Sequence, residues 1–436
     1  MIISFTVRNY KSIKDEVTMH FGVDNLDGVL ADNIAFPDKN GKIAVLRSAG
    51  VWGPNASGKS NLLEALEALQ SFVATSHKNE LDQLIDEYQP FKLDPASDKI
   101  PIFFELDFIG RNQEHYIYTL EFLNNRVLYE CLEFYASAKA SILFRRELES
   151  DRLTMKFGSK LSGGKVFSCR DNQGYLSVAA QEQKSSNQIK EVFRHIRDDI
   201  QIISPEASLF SPKNLLESDY LKSLSALLAC ADTGIYNVKA KEEDIDFNKF
   251  PLPISDELKL KITNDFKWQP QFFHNDTEVE FSKRDESSGT LRLYHISPMI
   301  LLGLGSSITW IFDEIDCKLH PRIVATIIRL FHDKTVNGKN PQLIFTSHNT
   351  GLMDSDLFRR EQIWFTQKNP LGVTELTCLD EYNQVRADTN FEKWYRDGRF
   401  DAVPDTNYGK LREIIAHSVK SGEDAEANNE QARQEK

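Results

Sequence analysis

The segment GPNASGKS, at residues 53–60, has the residue types and spacing of a loop that binds nucleotide phosphates. Glycine lets backbone N–H groups curl around an anion, and Lys59 adds a positive charge for the outer phosphates. Ser60 offers its hydroxyl to Mg²⁺. The sequence therefore predicts a site for ATP and Mg²⁺, formed by Gly53, Pro54, Asn55, Ala56, Ser57, Gly58, Lys59 and Ser60.

Two carboxylates end the apolar run ITWIFDE at residues 308–314. In P-loop ATPases an acidic residue at this place holds the Mg²⁺ shell, and Asp313 is the candidate. Glu314 follows directly, where it can polarise an attacking water as a general base. Alone, the pair could be the solvated end of a strand. Together with the phosphate loop it predicts an ATPase.

A histidine ends a second apolar run, QLIFTSHN. His348 could hydrogen-bond the γ-phosphate, and its place one strand after Asp313 and Glu314 favours this role over a structural one. Asp316 is the candidate for a short inter-subunit loop after the acidic pair. Gln89 is the candidate for a glutamine that couples the nucleotide to the adjoining lobe. An exposed loop glutamine with no such role is the alternative for Gln89.

Two segments compete as the signature, the helix start with which ABC-type ATPases grip a nucleotide held by another subunit. LSGGK at residues 161–165 matches the usual signature, LSGGQ, more closely than ESSGT at residues 286–290 does. Only the second precedes a helical pattern that leads into the acidic strand, and a helix N-terminus is what binds phosphate. Ser288 and Gly289 are therefore the candidates. The glycine pair of the first segment predicts a hairpin turn.

The elements that must position these residues follow from hydrophobic periodicity. Residues 1–21 alternate like strands, and residues 47–72 predict a strand, the glycine loop and a helix. Residues 101–157 predict an antiparallel meander, and alternating helices and strands return after residue 280. The predicted fold is α/β, an ABC-type P-loop ATPase head with an antiparallel β lobe and an inserted helical arm. The predicted parts are an N-terminal lobe (1–183), a helical insertion (184–270), a C-terminal lobe (271–415) and a disordered tail (416–436).

Composition narrows the class of protein. The net charge is −13 with no long basic run, which disfavours a broad nucleic-acid surface because phosphate binding needs clustered Lys and Arg. No apolar run approaches the roughly 18 residues that span a membrane, and the start lacks the order of a signal peptide. The five cysteines are widely spaced without a CxxC pair, so no disulfide framework or zinc site is predicted. A cytoplasmic location is expected.

These motifs together resemble the SMC/RecF/OLD-like branch of ABC ATPases. The quoted segments are NYKSIKD near the start, GPNASGKSNLLEAL, ESSGTLRL, IFDEID with LHP after it, and TSHN. The chain also resembles stand-alone ATPases of bacterial anti-phage and abortive-infection systems, of the RloA and AbiL type and AriA of the PARIS system. The resemblance implies Mg²⁺ at Ser60 and Asp313, catalysis by Glu314, and γ-phosphate sensing by His348. Ser288 stands where glycine or glutamate is more usual, which predicts slow hydrolysis without affecting binding.

The resemblance also implies partners. One phosphate loop and one signature in a chain predict a homodimer, or a multiple of dimers, with two ATP sites at the interface. Many relatives carry a C-terminal Toprim nuclease, and the chain after His348 is too short for one. The expected effector is therefore a separate chain, a Toprim-like or other nuclease or a toxin, and a phage protein is a candidate trigger.

Two other functions stay open on the sequence. One is a RecF-like DNA-repair ATPase that binds DNA directly, which the net charge of −13 disfavours. The other is a regulatory nucleotide-binding protein with little or no turnover, which the intact pair of Asp313 and Glu314 disfavours.

Overall fold

The computed structural model describes residues 1–26, 30–135, 139–150, 152–209, 217–242, 245, 247, 255–275, 277–386, 389–400, 402–403 and 407–419. The chain divides into two compact units, Met1–Ala402 and Val403–Lys436. In the second unit the described residues include a helix over residues 408–419. No helix in the described part of the chain combines the length and the apolar character that crossing a membrane requires.

The strands β1 to β18 and the helices α1 to α8 all lie in the first unit. In chain order its strands are β1 (Ile2–Arg8), β2 (Val17–His20), β3 (Ile34–Ala35), β4 (Val45–Leu46), β5 (Ser48–Trp52), β6 (Ile102–Ile109), β7 (His115–Leu123), β8 (Arg126–Tyr135), β9 (Ser141–Glu149), β10 (Arg152–Phe157), β11 (Ile200–Ile203), β12 (Ile235–Glu242), β13 (Trp268–His274), β14 (Glu280–Phe281), β15 (Thr309–Phe312), β16 (Gln342–Thr346), β17 (Ile363–Lys368) and β18 (Thr374–Cys378). Its helices are α1 (Lys59–Thr75), α2 (Tyr175–Gln181), α3 (Asn187–Asp198), α4 (Ser218–Cys230), α5 (Asp256–Phe266), α6 (Ser288–Leu301), α7 (Pro321–His332) and α8 (Phe391–Arg396).

A six-stranded sheet carries the phosphate loop and has the order β11-β15-β16-β5-β17-β18. All its neighbours are parallel except β17 and β18, which pair antiparallel. Every residue of β5, β15 and β16 is buried, as expected of parallel strands covered on both faces. The predicted strands before the glycine loop, before the acidic pair and before the histidine are confirmed.

A seven-stranded antiparallel sheet has the order β10-β9-β8-β7-β6-β1-β2, which confirms the predicted meander. Along β7 buried and half-buried residues alternate, so one face of the strand packs on the core. Helix α1 joins the core of this sheet: the ring of Phe72 stacks on that of Phe122 in β7, with centroids 5.6 Å apart. The helix after the phosphate loop is therefore fixed by the antiparallel lobe.

The range of the predicted helical insertion, residues 184–270, contains strands as well as the helices α3, α4 and α5. Helix α3 packs on α1 with Ile189 and Val192 in the main core, and β11 pairs with β15 in the parallel sheet. Beyond α4, strands β12 and β13 form a separate three-stranded sheet with β14. Strand β11 reads IQII, and four residues beside a helix are too few to show a strand period.

The predicted boundaries also differ from the observed units. The boundaries at 183/184 and 270/271 both lie inside the first unit. Of the predicted disordered tail, residues 420–436 lie outside the described residues, and residues 416–419 are helical.

The glycine pair at residues 163–164 does not form the predicted hairpin turn. Between β10 and α2 the described residues make only a single parallel bridge, from Gly164 to Ser185. The N–H of Gly164 donates to the carbonyl of Lys184 at 2.6 Å. A Cβ at Gly164 would lie 2.9 Å from that oxygen, so the glycines permit close backbone packing rather than a turn between strands.

Candidate functional site

The candidate site lies where three parallel strands end. Strands β15, β16 and β5 are neighbours in this order, with Ile311 opposite Ile344 and Ile344 opposite Ala49. Parallel strands present their carboxyl ends at the same edge of the sheet, the usual ligand edge of such folds. The phosphate loop, the acidic pair and the histidine each follow one of these strands. The topology therefore brings together residues that are far apart in sequence.

The phosphate loop leaves β5 and ends at the first turn of α1. Gly53 and Gly58 adopt φ values of 156° and 111°, which favour glycine, and Ala56 is left-handed at 62°. The ammonium group of Lys59 is buried and donates to the carbonyl oxygens of Gly53 and Pro54, at 2.9 and 3.1 Å. The lysine thus folds across its own loop. Asn55 and Ala56 are exposed at the tip, while Ser60 is half-buried.

Burial and three carboxylates of one segment act in opposite directions on the pKa of Lys59. Burial lowers the pKa of the Lys59 ammonium, and the negative charges of Asp313, Glu314 and Asp316 act against that shift. All three carboxylates belong to the segment that follows β15. The phosphate loop and the acidic segment therefore lie at the same edge of the sheet, after two strands separated only by β16.

Two threonines of the β17–β18 hairpin brace the phosphate loop. The hydroxyls of Ser57 and Thr366 share a hydrogen bond of 2.7 Å, and the hydroxyl of Thr374 donates to the Ser57 carbonyl at 2.9 Å. A Cβ at Gly53 would collide with Thr366, and one at Gly58 with Thr374. The loop glycines are thus needed for close approach as well as for conformation.

A second contact ties the N-terminal segment to this brace. The hydroxyl of Ser12 shares a 2.7 Å hydrogen bond with that of Thr374, and the side-chain amide of Asn61 donates to Ser12 at 2.5 Å. Asn61 lies in the first turn of α1. The segment NYKSIKD therefore reaches the phosphate loop through its serine.

The acidic pair and the histidine meet around Thr346, the last residue of β16. The Thr346 hydroxyl donates to Oδ1 of Asp313 at 2.6 Å and accepts from the backbone N–H of Glu314 at 2.7 Å. Nε2 of His348 lies 3.6 Å from Oε1 of Glu314. The side chains of His348 and Glu314 are 39% and 42% exposed, so both remain accessible to a substrate. The structure brings Asp313, Glu314 and His348 together as the sequence suggested.

The candidate signature opens α6, as required of a phosphate-binding helix start. Ser287 caps the helix, since its hydroxyl accepts from the N–H of Thr290 at 3.1 Å. Ser288 is the first helical residue and is exposed. A Cβ at Gly289 would lie 2.9 Å from the carbonyl oxygen of Lys318, so the helix start packs on the loop that follows the acidic pair.

Two further candidates lie beside these elements. Oδ1 of Asp316 is buried and has no hydrogen-bond partner among the described residues, which leaves it able to accept one. Gln89 is exposed, and its backbone carbonyl accepts from the N–H of Lys11 at 2.8 Å. Lys11 adjoins Ser12, so Gln89 lies near the brace of the phosphate loop.

The residues present fit a Mg²⁺ ion that is held partly by phosphate. Ser60 and Asp313 supply a hydroxyl and a carboxylate, which are oxygen ligands of the kind Mg²⁺ prefers. Among the described residues, at this site or any other, no group of three or more His, Cys, Asp and Glu side chains is arranged to hold a metal by itself. Binding of Mg²⁺ at Ser60 and Asp313 would therefore depend on the nucleotide for the remaining oxygens.

Sequence reasoning missed Thr346, Thr366, Thr374, Ser12 and Asn61. Thr346 lies within the quoted segment TSHN, two residues before the histidine, so the sequence shows a hydroxyl near His348. Thr366 and Thr374 lie about 300 residues from the loop they brace, by the sequence separations of 309 and 317. A single hydroxyl in a strand carries no pattern, and only the sheet order places it.

Comparison with known proteins identifies the family. A family model described as "AAA domain, putative AbiEii toxin, Type IV TA system" matches residues 48–354. None of the curated proteins compared with the sequence matches it. The predicted fold class, an ABC-type P-loop ATPase with an antiparallel β lobe, is confirmed by the family match together with the observed sheets.

Several solved structures are similar to the chain. The recombination mediator protein RecF of the RecFOR pathway, as RecF-ATPrS, is 12% identical, with 86% of this chain and 98% of that chain covered and a TM-score of 0.34. RecF-ATP is 13% identical, with 86% and 97% covered and a TM-score of 0.33. The protein cbiO1 from Clostridium perfringens, part of the ABC transporter complex cbiONQ, is 12% identical, with 95% and 99% covered and a TM-score of 0.30.

Proposed function

The chain belongs to the AAA domain family described as a putative AbiEii toxin of type IV TA systems, and we propose that it binds ATP with Mg²⁺ and hydrolyses it slowly. One observation carries the proposal: the phosphate loop follows β5, and the segment with Asp313, Glu314 and Asp316 follows β15, at the same edge of one parallel group of strands. A buried lysine on a glycine loop opposite three carboxylates fits a metal-bound triphosphate, because the cation faces the phosphates and the carboxylates face the metal.

Each residue has a distinct task in the proposed reaction. Lys59 and the loop N–H groups hold the outer phosphates, while Ser60 and Asp313 hold Mg²⁺, which neutralises charge on the phosphates when bound. Glu314 orients the attacking water and accepts its proton. His348, 3.6 Å from Glu314, donates to the γ-phosphate and so couples its presence to the carboxylate. Both side chains are open enough to contact a nucleotide.

The tests of turnover are direct. Steady-state phosphate release should depend on Mg²⁺ and stop in EDTA. Nucleotide binding without measurable turnover at saturating ATP and Mg²⁺ would instead favour a regulatory nucleotide-binding protein. A wild-type protein that neither binds nor hydrolyses ATP would refute the proposal.

We also propose that ATP assembles the chain into a homodimer, or a multiple of dimers, with Ser288 and Gly289 of one copy reaching the nucleotide of the other. Exposure of Ser288 at the start of α6 supports this, since a free helix N-terminus attracts phosphate. Light scattering of the Glu314→Gln variant should show a monomer without ATP and a dimer with ATP. Adding Ser288→Arg should abolish the dimer. A dimer that forms equally well without ATP, or with Arg at 288, would contradict the interface.

The family and the sequence resemblance support a proposal for the biological role. We propose a sensor and scaffold of an anti-phage system, of the RloA, AbiL or AriA kind, that controls a separate effector such as a Toprim-like nuclease. The toxin and TA system in the family's description support this. Phage plating on cells that carry the gene with its neighbours should fall relative to cells carrying Lys59→Ala. Equal plating would count against defence.

A RecF-like ATPase that binds DNA directly is the alternative. The net charge of −13 disfavours it, because DNA binding needs a basic surface. A gel shift with the protein alone decides between them. Strong binding at low salt that weakens steeply at high salt would favour the DNA-repair role over defence.

A further inference from the structure

Thr346 contacts three consecutive residues of the acidic segment. Its hydroxyl donates to Oδ1 of Asp313 at 2.6 Å and accepts from the N–H of Glu314 at 2.7 Å. Its backbone carbonyl accepts from the N–H of Ile315 at 3.1 Å. The Thr346 side chain is fully buried, so no solvent competes for these bonds. The one hydroxyl proton points at a carboxylate that can only accept, which fixes the direction of both side-chain bonds.

The conformation of Glu314 explains why such a contact is needed. Glu314 has a φ of 50°, in the left-handed region that a residue with a long side chain rarely adopts. A residue stays in that region only when its surroundings hold it there. The bond from the Glu314 N–H to Thr346 is such a restraint. The next residue, Ile315, bonds to Thr346 at the end of β16, and His348, two residues beyond that strand, approaches the Glu314 carboxylate.

We propose that Thr346 is a positioning residue for ATP hydrolysis. Its hydroxyl orients Asp313 toward Mg²⁺ and holds the backbone of Glu314 in the turn that aims the carboxylate at the attacking water. The inference rests on the proposed ATPase activity. Because Thr346 acts through two carboxylates, its removal alters turnover and metal dependence while leaving nucleotide binding by the phosphate loop in place.

Substitution by valine removes the hydroxyl and keeps the shape. Thr346→Val should lower kcat about 10- to 100-fold, the scale expected when a reacting group is displaced by about 1 Å. The Mg²⁺ concentration for half-maximal rate should rise about tenfold, as when the partner of a metal ligand is removed. The equilibrium affinity for ATP, measured under conditions in which ATP is not hydrolysed, should change less than about threefold. Thr346→Ser keeps the hydroxyl and should restore both kinetic constants.

Thr309 provides a matched control. It is a fully buried threonine on β15, the neighbouring strand, and its hydroxyl donates to the side-chain oxygen of Gln342 at 3.2 Å rather than to a carboxylate. Thr309→Val should lower the melting temperature yet leave kcat and the Mg²⁺ dependence close to those of the wild type. If Thr346→Val does not fold, Thr346→Ala removes the hydroxyl together with the γ-methyl group and serves as the second variant.

A double variant tests the contact with Glu314. Saturating Mg²⁺ removes the effect that Thr346 exerts through Asp313. Under that condition, Glu314→Gln with Thr346→Val should be no slower than Glu314→Gln alone, because groups acting as one unit are not additive. Wild-type kcat and Mg²⁺ dependence in folded Thr346→Val or Thr346→Ala would overturn the inference. So would Thr346→Ser as defective as Thr346→Val. An inactive wild-type protein would instead refute the proposed ATPase activity.

Discussion

Nε2 of His348 lies 3.6 Å from Oε1 of Glu314, near enough for an ion pair and just beyond a hydrogen bond. The two residues follow different strands, β16 and β15, and meet because those strands are parallel neighbours. Both side chains are roughly two-fifths exposed, so a water molecule or a phosphate oxygen can reach each of them. This geometry suits a carboxylate that activates water beside an imidazole that responds to the terminal phosphate.

Glu314→Gln should separate ATP binding from hydrolysis. The amide keeps the size of the side chain but cannot accept the proton of water, so kcat should fall about 100-fold or more. ATP affinity, measured with a fluorescent analogue, should stay within about threefold of the wild-type value. Glu381 is a useful control. Its carboxylate accepts a 2.8 Å hydrogen bond from the N–H of Cys378, at the end of β18 opposite to Thr374. Glu381→Gln should hydrolyse ATP normally, and a comparable loss of rate in both variants would argue against a special role for Glu314.

Gly58→Ala should disturb both folding and nucleotide binding. An alanine there must hold a φ of 111° and place its Cβ against the side chain of Thr374. Gly41 is the matched control, with a φ of 62° and nothing within 4 Å of its Cβ. Gly41→Ala should cost about 1 kcal/mol of unfolding free energy, from conformation alone. Gly58→Ala should cost clearly more and weaken ATP binding, and equal losses in denaturant titrations would contradict the tight brace.

Acid should destabilise the first unit through His332. Burial lowers the pKa of His332 from its ordinary value to about 3, and the ring shares a 2.7 Å hydrogen bond with the Ser48 hydroxyl. Below pH 6.5 the unfolded chain binds a proton that the folded chain does not, so stability falls as pH falls from 6.5 toward 3. The slope is at most about 1.4 kcal/mol per pH unit for this one group.

The neutral variant His332→Gln isolates that contribution. Its free energy of unfolding should fall less between pH 7 and pH 5.5 than that of the wild type, whatever its value at pH 7. Denaturant titrations at the two pH values provide the comparison. Parallel losses in the two proteins would show that His332 takes up its proton without unfolding.

The sequence predicted the parts of the site that carry their own pattern. Lys59 stands in an eight-residue motif, and Asp313, Glu314 and His348 end apolar runs long enough to identify as strands. Residues 161–165 match the usual signature more closely, but the sequence predicts a helix only after Ser288. Helix α6 does begin at Ser288. These inferences needed only local periodicity and the chemistry of a phosphate.

The remainder required tertiary structure. Strand β11 is too short to show the alternation of apolar and polar residues typical of a strand. It belongs to the sheet because it pairs in parallel with β15. Thr374 contacts Ser57, from which it is separated by 317 residues in the sequence. No local sequence feature distinguishes a strand threonine that contacts a loop from one that does not. Gly163 and Gly164 were interpreted as a turn because glycine permits turns, whereas the chain uses them to approach residue 184. Each error concerns a contact between segments distant in sequence.

The affinity of ATP for the Lys59→Ala variant tests most directly whether the phosphate loop and the acidic segment enclose one nucleotide. Lys14→Ala removes the same charge from a surface pair with Asp94, 2.9 Å away, and serves as the control. Calorimetric titration with Mg²⁺ and ATP should show wild-type affinity in Lys14→Ala and a loss of about 100-fold in Lys59→Ala. Equal affinity in all three proteins would contradict the account.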